Sequence, residues 1–181
     1  MEEHTSRADW IGRALARHEA SLLRYAERFL RNPDQARDVV QETFLHLCKA
    51  ERSKVDDHLA AWLFRVCRNR ALDLKRKETR VQPLEQETEQ SLQSPGPDPH
   101  AVAEHREGAG RVLQIVSTLP ESQQEAIYLR FQGGLSYKEI SEVTGHTVSN
   151  VGVLLHTAVK KIRGHLDELA NPEAKTVEGA R

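Results

Sequence analysis

The stretch Val81 to Val102 constrains this 181-residue chain more than any other feature. It holds Pro83, Pro95, Pro97 and Pro99, four Gln and four acidic residues, and no Lys or Arg. Such a composition buries too little apolar surface to offset the entropy lost on ordering, so it reads as a flexible linker. Residues 1–80 precede it and residues 103–181 follow, so the chain divides into two lobes, each small enough to need a compact core. Only 5% of residues are aromatic, while Ala, Leu, Glu, Arg and Gln abound, a composition that favours helix over sheet. The expected fold is all-α: two small helical domains joined by a flexible linker.

Periodicity fills in the first lobe. Trp10, Ala14, Leu15, Leu22, Tyr25, Ala26 and Phe29 recur at amphipathic-helix spacing across Asp9 to Leu30. Asn32 then offers a cap and Pro33 a first-turn residue for a second helix running to about Lys49. On that helix Asp38, Gln41, Glu42 and Leu45 fall on one face, and Ala36, Val40, Thr43 and Leu47 on the other. A polar stretch, Glu51 to Asp57, precedes a third helix from about His58 to Arg80, with Asp56 or Asp57 as its expected cap. Leu59, Leu63, Val66, Cys67 and Leu74 share its apolar face, and Arg65, Arg68, Asn69, Arg76 and Arg80 lie opposite. Arg70 falls on the packing side, which predicts an acidic partner or a snorkelling side chain.

The second lobe opens with a helix from about Ala103 to Ser117. Thr118 and Glu121 predict a capping box for a helix through Phe131 that stops at Gly133 and Gly134. Ser136 and Glu139 predict a second box for a short helix to Val143. Thr144-Gly145-His146 then turns into a last helix, about Val148 to Leu166. Short helix, glycine turn and longer helix together make a helix-turn-helix pattern.

Charge is nearly balanced overall, at −1, so any case for nucleic acid rests on where the charges lie. From Trp62 to Gln82 seven basic residues face two acids, a local net of +5. Cys48 and Cys67 lack CxxC spacing and sit inside helical patterns, which predicts buried free thiols in a reducing cytoplasm. Nine histidines form no HxxxH or HExxH arrangement, and no nucleophile setting or Gly-rich phosphate loop is present, so no metal, cofactor or enzymatic site is expected. Neither a signal peptide nor a membrane span is expected from the apolar runs.

Three segments resemble one family. Asp38-Val39-Val40-Gln41-Glu42-Thr43-Phe44 is similar to the DxxQETF polymerase-binding segment of sigma-70 factors. Trp62-Leu63-Phe64-Arg65-Val66-Cys67-Arg68-Asn69-Arg70-Ala71-Leu72-Asp73 resembles that family's promoter-melting segment. Thr118-Leu119-Pro120, Leu129-Arg130, Gly134-Leu135-Ser136-Tyr137-Lys138-Glu139-Ile140 and Thr144-Gly145 resemble its region four. The chain is thereby identified as similar to the small extracytoplasmic-function sigma factors. A helix-turn-helix regulator that never touches polymerase would share only the last of these segments. A metal-dependent helical hydrolase would need a ligand cluster the sequence lacks.

The resemblance implies a cytoplasmic factor that binds core RNA polymerase, promoter DNA and an anti-sigma factor, with no membrane insertion and no cofactor. It implies polymerase contact through Asp38, Val39, Gln41, Glu42, Phe44 and Leu45. Minus-ten contacts fall to Asp57, His58, Arg65, Arg68, Asn69, Arg76 and Arg80, since in the family this helix and the loop before it hold the non-template strand. Minus-thirty-five contacts fall to Ser136, Tyr137, Lys138, Ser149, Asn150, Val153, His156 and Lys160. The implied segments are region 2 at 1–80, linker at 81–102, region 4 at 103–166 and a polar tail at 167–181. One departure stands out: positions usually basic in the last helix are Gly152, Leu154, Thr157 and Val159.

Overall fold

The computed structural model describes residues 7–30, 32–81, 110 and 112–170. The linker beyond Val81, residues 103–109 and the end of the tail lie outside the described residues. Every regular element among the described residues is helical. In chain order these are α1 (Arg7–Ala26), α2 (Pro33–Lys49), α3 (Arg52–Val55), a 3-10 turn (Asp56–His58), α4 (Leu59–Val81), α5 (112–117), α6 (Glu121–Phe131), α7 (Tyr137–Thr144) and α8 (Val148–Ala170).

The chain forms two compact units, Met1–Gln86 with Tyr128–Val151, and Glu87–Ile127 with Gly152–Arg181. In the first, α1, α2 and α4 pack against one another and α7 packs on α4. Leu22, Tyr25, Val39, Leu47, Leu63 and Phe64 are fully buried there, each apolar side chain contributing about 1.5–3 kcal/mol. The Tyr25 ring meets Phe29 and Phe64 edge-on, at centroid distances of 5.3 and 5.1 Å, and stacks on Tyr128 at 5.6 Å. The Tyr128 hydroxyl donates to the Ser21 carbonyl at 2.7 Å. Among the described residues of the second unit, Ile115, Leu119, Ala126, Leu155 and Ala158 are buried apolar side chains.

Helix starts and stops follow local chemistry. Asn32 caps α2 by accepting from the Asp34 N–H at 2.9 Å, and Pro33 fills the first turn, where a missing donor is harmless. After α6 the Gly133 N–H reaches back to Tyr128 O and the Leu135 N–H to Leu129 O, while Gly134 takes φ +69°. Gly133 is needed for a different reason: a Cβ there would lie 2.7 Å from Leu129 O and 3.1 Å from the Phe64 ring. Ser136 and Glu139 close a full capping box on α7, and Gly145 ends it in the left-handed region at φ +79°. The Thr147 hydroxyl accepts from the Asn150 N–H at 3.2 Å at the start of α8.

Several expectations need correction. Two elements that periodicity did not mark, α3 and the 3-10 turn, lie in and just after the polar stretch Glu51 to Asp57, and Val55 of α3 is buried. Neither Asp56 nor Asp57 is seen to cap α4, because the Asp56 carboxylate is taken by Trp10 and Arg52. No capping box forms at Thr118: its hydroxyl donates to Ile115 O at 2.8 Å, and α6 starts directly after Pro120. The buried face of α4 is Ala61, Leu63, Phe64, Cys67 and Ala71, with Leu59, Val66 and Leu74 only half-buried. Cys67 is buried as expected, but Cys48 is exposed. Helix α8 continues to Ala170, past the expected end at Leu166.

Candidate functional site

Helix α2 presents two kinds of residue where one kind was expected. Asp38, Gln41 and Leu45 are exposed, Leu45 to 58%. Val39 and Phe44 are buried, at 0% and 7% exposure, because the buried stripe Ala36, Val39, Val40, Thr43, Phe44 and Leu47 is wider than the expected one. Val39 lies within the packed face of α2, whereas Phe44, largely buried, also borders the open groove between α1 and α2. Leu15, Glu19 and Leu23 of α1 join Gln41, Phe44, Leu45 and Cys48 of α2 around an open, mainly apolar groove. A partner helix would find an apolar seam there, with the Glu19 carboxylate, the Gln41 amide and the Arg37 guanidinium around it.

Glu42 points the other way, toward α4. Its carboxylate receives two hydrogen bonds from the Arg70 guanidinium, one from Nη2 at 2.9 Å and one from Nε. This is the acidic partner that Arg70 required, and it leaves Glu42 engaged within the chain. The Arg70 hydrogen bond lowers the Glu42 pKa, and Glu42 in turn raises that of Arg70. Both side chains are more than a third exposed, at 40% and 38%, so solvent screening holds the pair to about 1 kcal/mol or less.

Along α4, Arg65, Asn69 and Arg76 are exposed, and spacings of four and seven place them on one face. Arg68 is half-buried beside that face. Arg76 pairs loosely with Asp73 at 3.4 Å and borders a shallow depression with Leu72, Lys75 and Thr79. Arg80 carries the expected helical backbone, but its side chain lies outside the described residues. Trp62 is half-buried, in keeping with a packing role. Before α4, Asp57 and His58 are exposed on the 3-10 turn. A cationic, water-facing stripe with a polar turn at its head suits the backbone of a single strand.

In the helix-turn-helix segment the Ser136 hydroxyl is committed to the capping box, accepting from Glu139 N–H at 3.3 Å and donating to Glu139 Oε2 at 2.6 Å. Tyr137 and Lys138 are exposed, with the Arg130 guanidinium 5.7 Å from the Tyr137 ring centroid. On α8, Ser149, Asn150, Val153, His156 and Lys160 are all exposed, and Val151, Leu155 and Ala158 are buried. Steps of four, three and four from Ser149 to Val153, His156 and Lys160 make one stripe along the helix.

Sequence reasoning missed the Trp10 side chain, whose Nε1–H donates to Asp56 Oδ1 at 2.8 Å across 46 residues. It also missed Thr147 as a cap, although its place just before an apolar run was a usable signal. Among the described residues, no group of three His, Cys, Asp or Glu is placed to hold a metal, and no helix is long and apolar enough to cross a membrane.

Comparison with known proteins agrees along most of the chain. Residues 14–81 match the family described as sigma-70 region 2, and residues 109–162 match sigma-70, region 4. The ECF RNA polymerase sigma factor SigL of Mycobacterium tuberculosis (strain H37Rv) is 31% identical over 156 residues, spanning 84% of this chain and 86% of its own. RNA polymerase sigma factor SigV of Bacillus subtilis is 26% identical over 147 residues, covering 81% of this chain and 84% of SigV. The solved structure of CnrH in complex with the cytosolic domain of CnrY superposes with a TM-score of 0.54 at 25% identity, covering 87% of each chain. The region 2 match separates the chain from regulators that share only a helix-turn-helix. The chain therefore belongs to the extracytoplasmic-function group of sigma-70 factors, the subunits that direct bacterial RNA polymerase to promoters and assist DNA melting at initiation.

Proposed function

We propose that the two faces of the α2–α4 pair divide the work of this sigma factor. Asp38, Gln41 and Leu45 meet core polymerase, and Arg65, Arg68, Asn69 and Arg76, with Asp57 and His58 before them, meet the melted minus-ten strand. Arg80 extends the same row by its place in the helix. Glu42 acts from behind, through Arg70, to fix the angle between the two surfaces. The observation that carries this is the exposure of an acid, an amide and a leucine on α2 while a separate arginine row is exposed on α4.

The minus-thirty-five element falls to Tyr137, Lys138, Ser149, Asn150, Val153, His156 and Lys160, with Ser136 supporting them as a cap. Asn can pair with adenine and an apolar side chain can touch a thymine methyl, which suits Asn150 and Val153. By function the segments are 1–80, a linker at 81–102, 103–166 and a tail at 167–181, supported by matches over 14–81 and 109–162. Nucleotide chemistry stays with the polymerase, in keeping with a family that is generally non-enzymatic, and the site of action is the cytoplasm. CnrH was solved bound to the cytosolic domain of a second protein, CnrY, which supports a protein partner of the anti-sigma kind for this chain as well. Core polymerase with and without the protein, given a library of promoters, tests the reading. Promoter-specific transcripts with the protein and none without it are expected; identical transcripts from both would overturn it.

A further inference from the structure

The segment joining α2 to α4 is short and exposed, yet a set of side chains from the start of α1 ties it down. Arg7 Nη2 donates to the carbonyls of Cys48 and Ala50, both at 2.7 Å, closing off the C-terminus of α2. Trp10, itself buried, donates from Nε1 to Asp56 Oδ1 at 2.8 Å. Arg52 donates from Nε to the other oxygen, Oδ2, at 3.0 Å, and its guanidinium carbon lies 5.6 Å from the Trp10 ring centroid. Trp10, Arg52 and Asp56 thus form a closed triangle in which each side chain touches the other two, and both carboxylate oxygens are used. Val55 is buried beside them.

Asp57 and His58 follow Asp56 directly in the same 3-10 turn, and α4 begins at the next residue. A one-turn 3-10 segment has too few hydrogen bonds of its own to hold a shape, so its conformation is set by what anchors its first residue. We infer that Trp10, Arg52 and Asp56 are a latch that positions Asp57 and His58 against the minus-ten strand, and so helps determine which base is accepted there. This rests on the reading above that the turn meets that strand. The buried Trp10 holds Asp56 from the core side, and Asp57 and His58, both exposed, follow directly. Trp10, Arg52 and Asp56 are positioning residues, and their effect must pass through the turn. A recognition group needs supporting contacts that lock its position, and losing them loosens the geometry on which base discrimination depends.

The test uses the full chain with core polymerase on promoters carrying each of the four bases at every minus-ten position, with opening followed by a fluorescent base analogue. Trp10→Phe removes the N–H donor and keeps a ring in the core; Asp56→Ala removes the shared acceptor. Both variants should open the preferred promoter at nearly the wild-type level while the preference ratio at one minus-ten position falls about tenfold. Core affinity should be unchanged, and amide exchange over residues 51–58 should rise. Faster exchange with an unchanged preference ratio would overturn the latch alone. A parallel loss of core affinity would overturn it too, by making the triangle a structural support of the whole bundle. Wild-type protein without any minus-ten base preference would overturn both the latch and the reading beneath it.

Discussion

Arg70 and Glu42 join α4 to α2 through a two-point guanidinium–carboxylate pair, between the proposed DNA-facing helix and the proposed polymerase-facing helix. A bidentate pair fixes the relative rotation of two helices better than a single bond, even where its energy is modest. Glu42→Gln is expected to lower stability by about 0.2–1 kcal/mol, because Arg70 remains open to water when its partner is lost. The double exchange Glu42→Arg with Arg70→Glu should recover more activity than either single change. Single variants as active as wild type would remove the pair from the account.

The same pair sets a pH dependence. Glu42 is held below its ordinary value of 4.5 chiefly by the Arg70 hydrogen bond, and Asp56 below 3.8 chiefly by the Trp10 hydrogen bond and then by Arg52. A carboxyl depressed in the folded state contributes stability that is complete above its unfolded pKa and is lost as pH falls through the folded one. The contribution of these two carboxyls to the denaturant midpoint should therefore hold steady down to about pH 5 and be lost below it, so Glu42→Gln and Asp56→Asn should each show a shallower fall below that pH than the wild type. An equal acid slope in all three proteins would contradict these assignments.

The two thiols should separate cleanly. Burial pushes the Cys67 thiol up to about 12, whereas Cys48 is exposed on the rim of the α1–α2 groove. Thiolate, not thiol, reacts, so a maleimide at neutral pH should modify Cys48 promptly and Cys67 only on unfolding. Mass spectrometry of peptides from a short exposure checks this, and early labelling at Cys67 would contradict the packing of α4.

Salt dependence should distinguish the two DNA surfaces. Each phosphate neutralised on a single strand contributes a slope of about 0.7, so Arg65→Ala and Arg76→Ala should each flatten the salt dependence of minus-ten capture by up to that amount. Helix α8 has no Lys or Arg from Thr147 to Val159, so its recognition should rest on polar and apolar contacts. Asn150→Ala is then expected to weaken upstream discrimination by about 1–3 kcal/mol with little change in slope. A steep slope assigned to α8, or no effect of Asn150→Ala, would refute that division.

Much of this architecture was legible in the sequence because its signals are local. Asn32-Pro33, Ser136 with Glu139, and Gly145 act within one helical turn, and each does in the fold what its chemistry predicts. That Arg70 would find an acid or snorkel was also legible, but not which of the two, nor Glu42 as the partner. The Trp10–Asp56 bond spans 46 residues and leaves no periodic trace. Exposure along α2 was legible only in part: the periodicity put Ala36, Val40, Thr43 and Leu47 on the packed face, and Val39 and Phe44 are buried with them.

Titration of fluorescently labelled protein against core polymerase, comparing wild type with Asp38→Arg, Gln41→Ala and Leu45→Ala, shows whether the exposed face of α2 binds polymerase. All three positions are exposed, so thermal stability should stay within about 0.5 kcal/mol of wild type. Tight binding by the wild type is expected, weakened by about 1–3 kcal/mol in the variants and most by Asp38→Arg, where a repelling charge enters the contact. No binding by the wild type, or equal binding by all four proteins, would contradict the account.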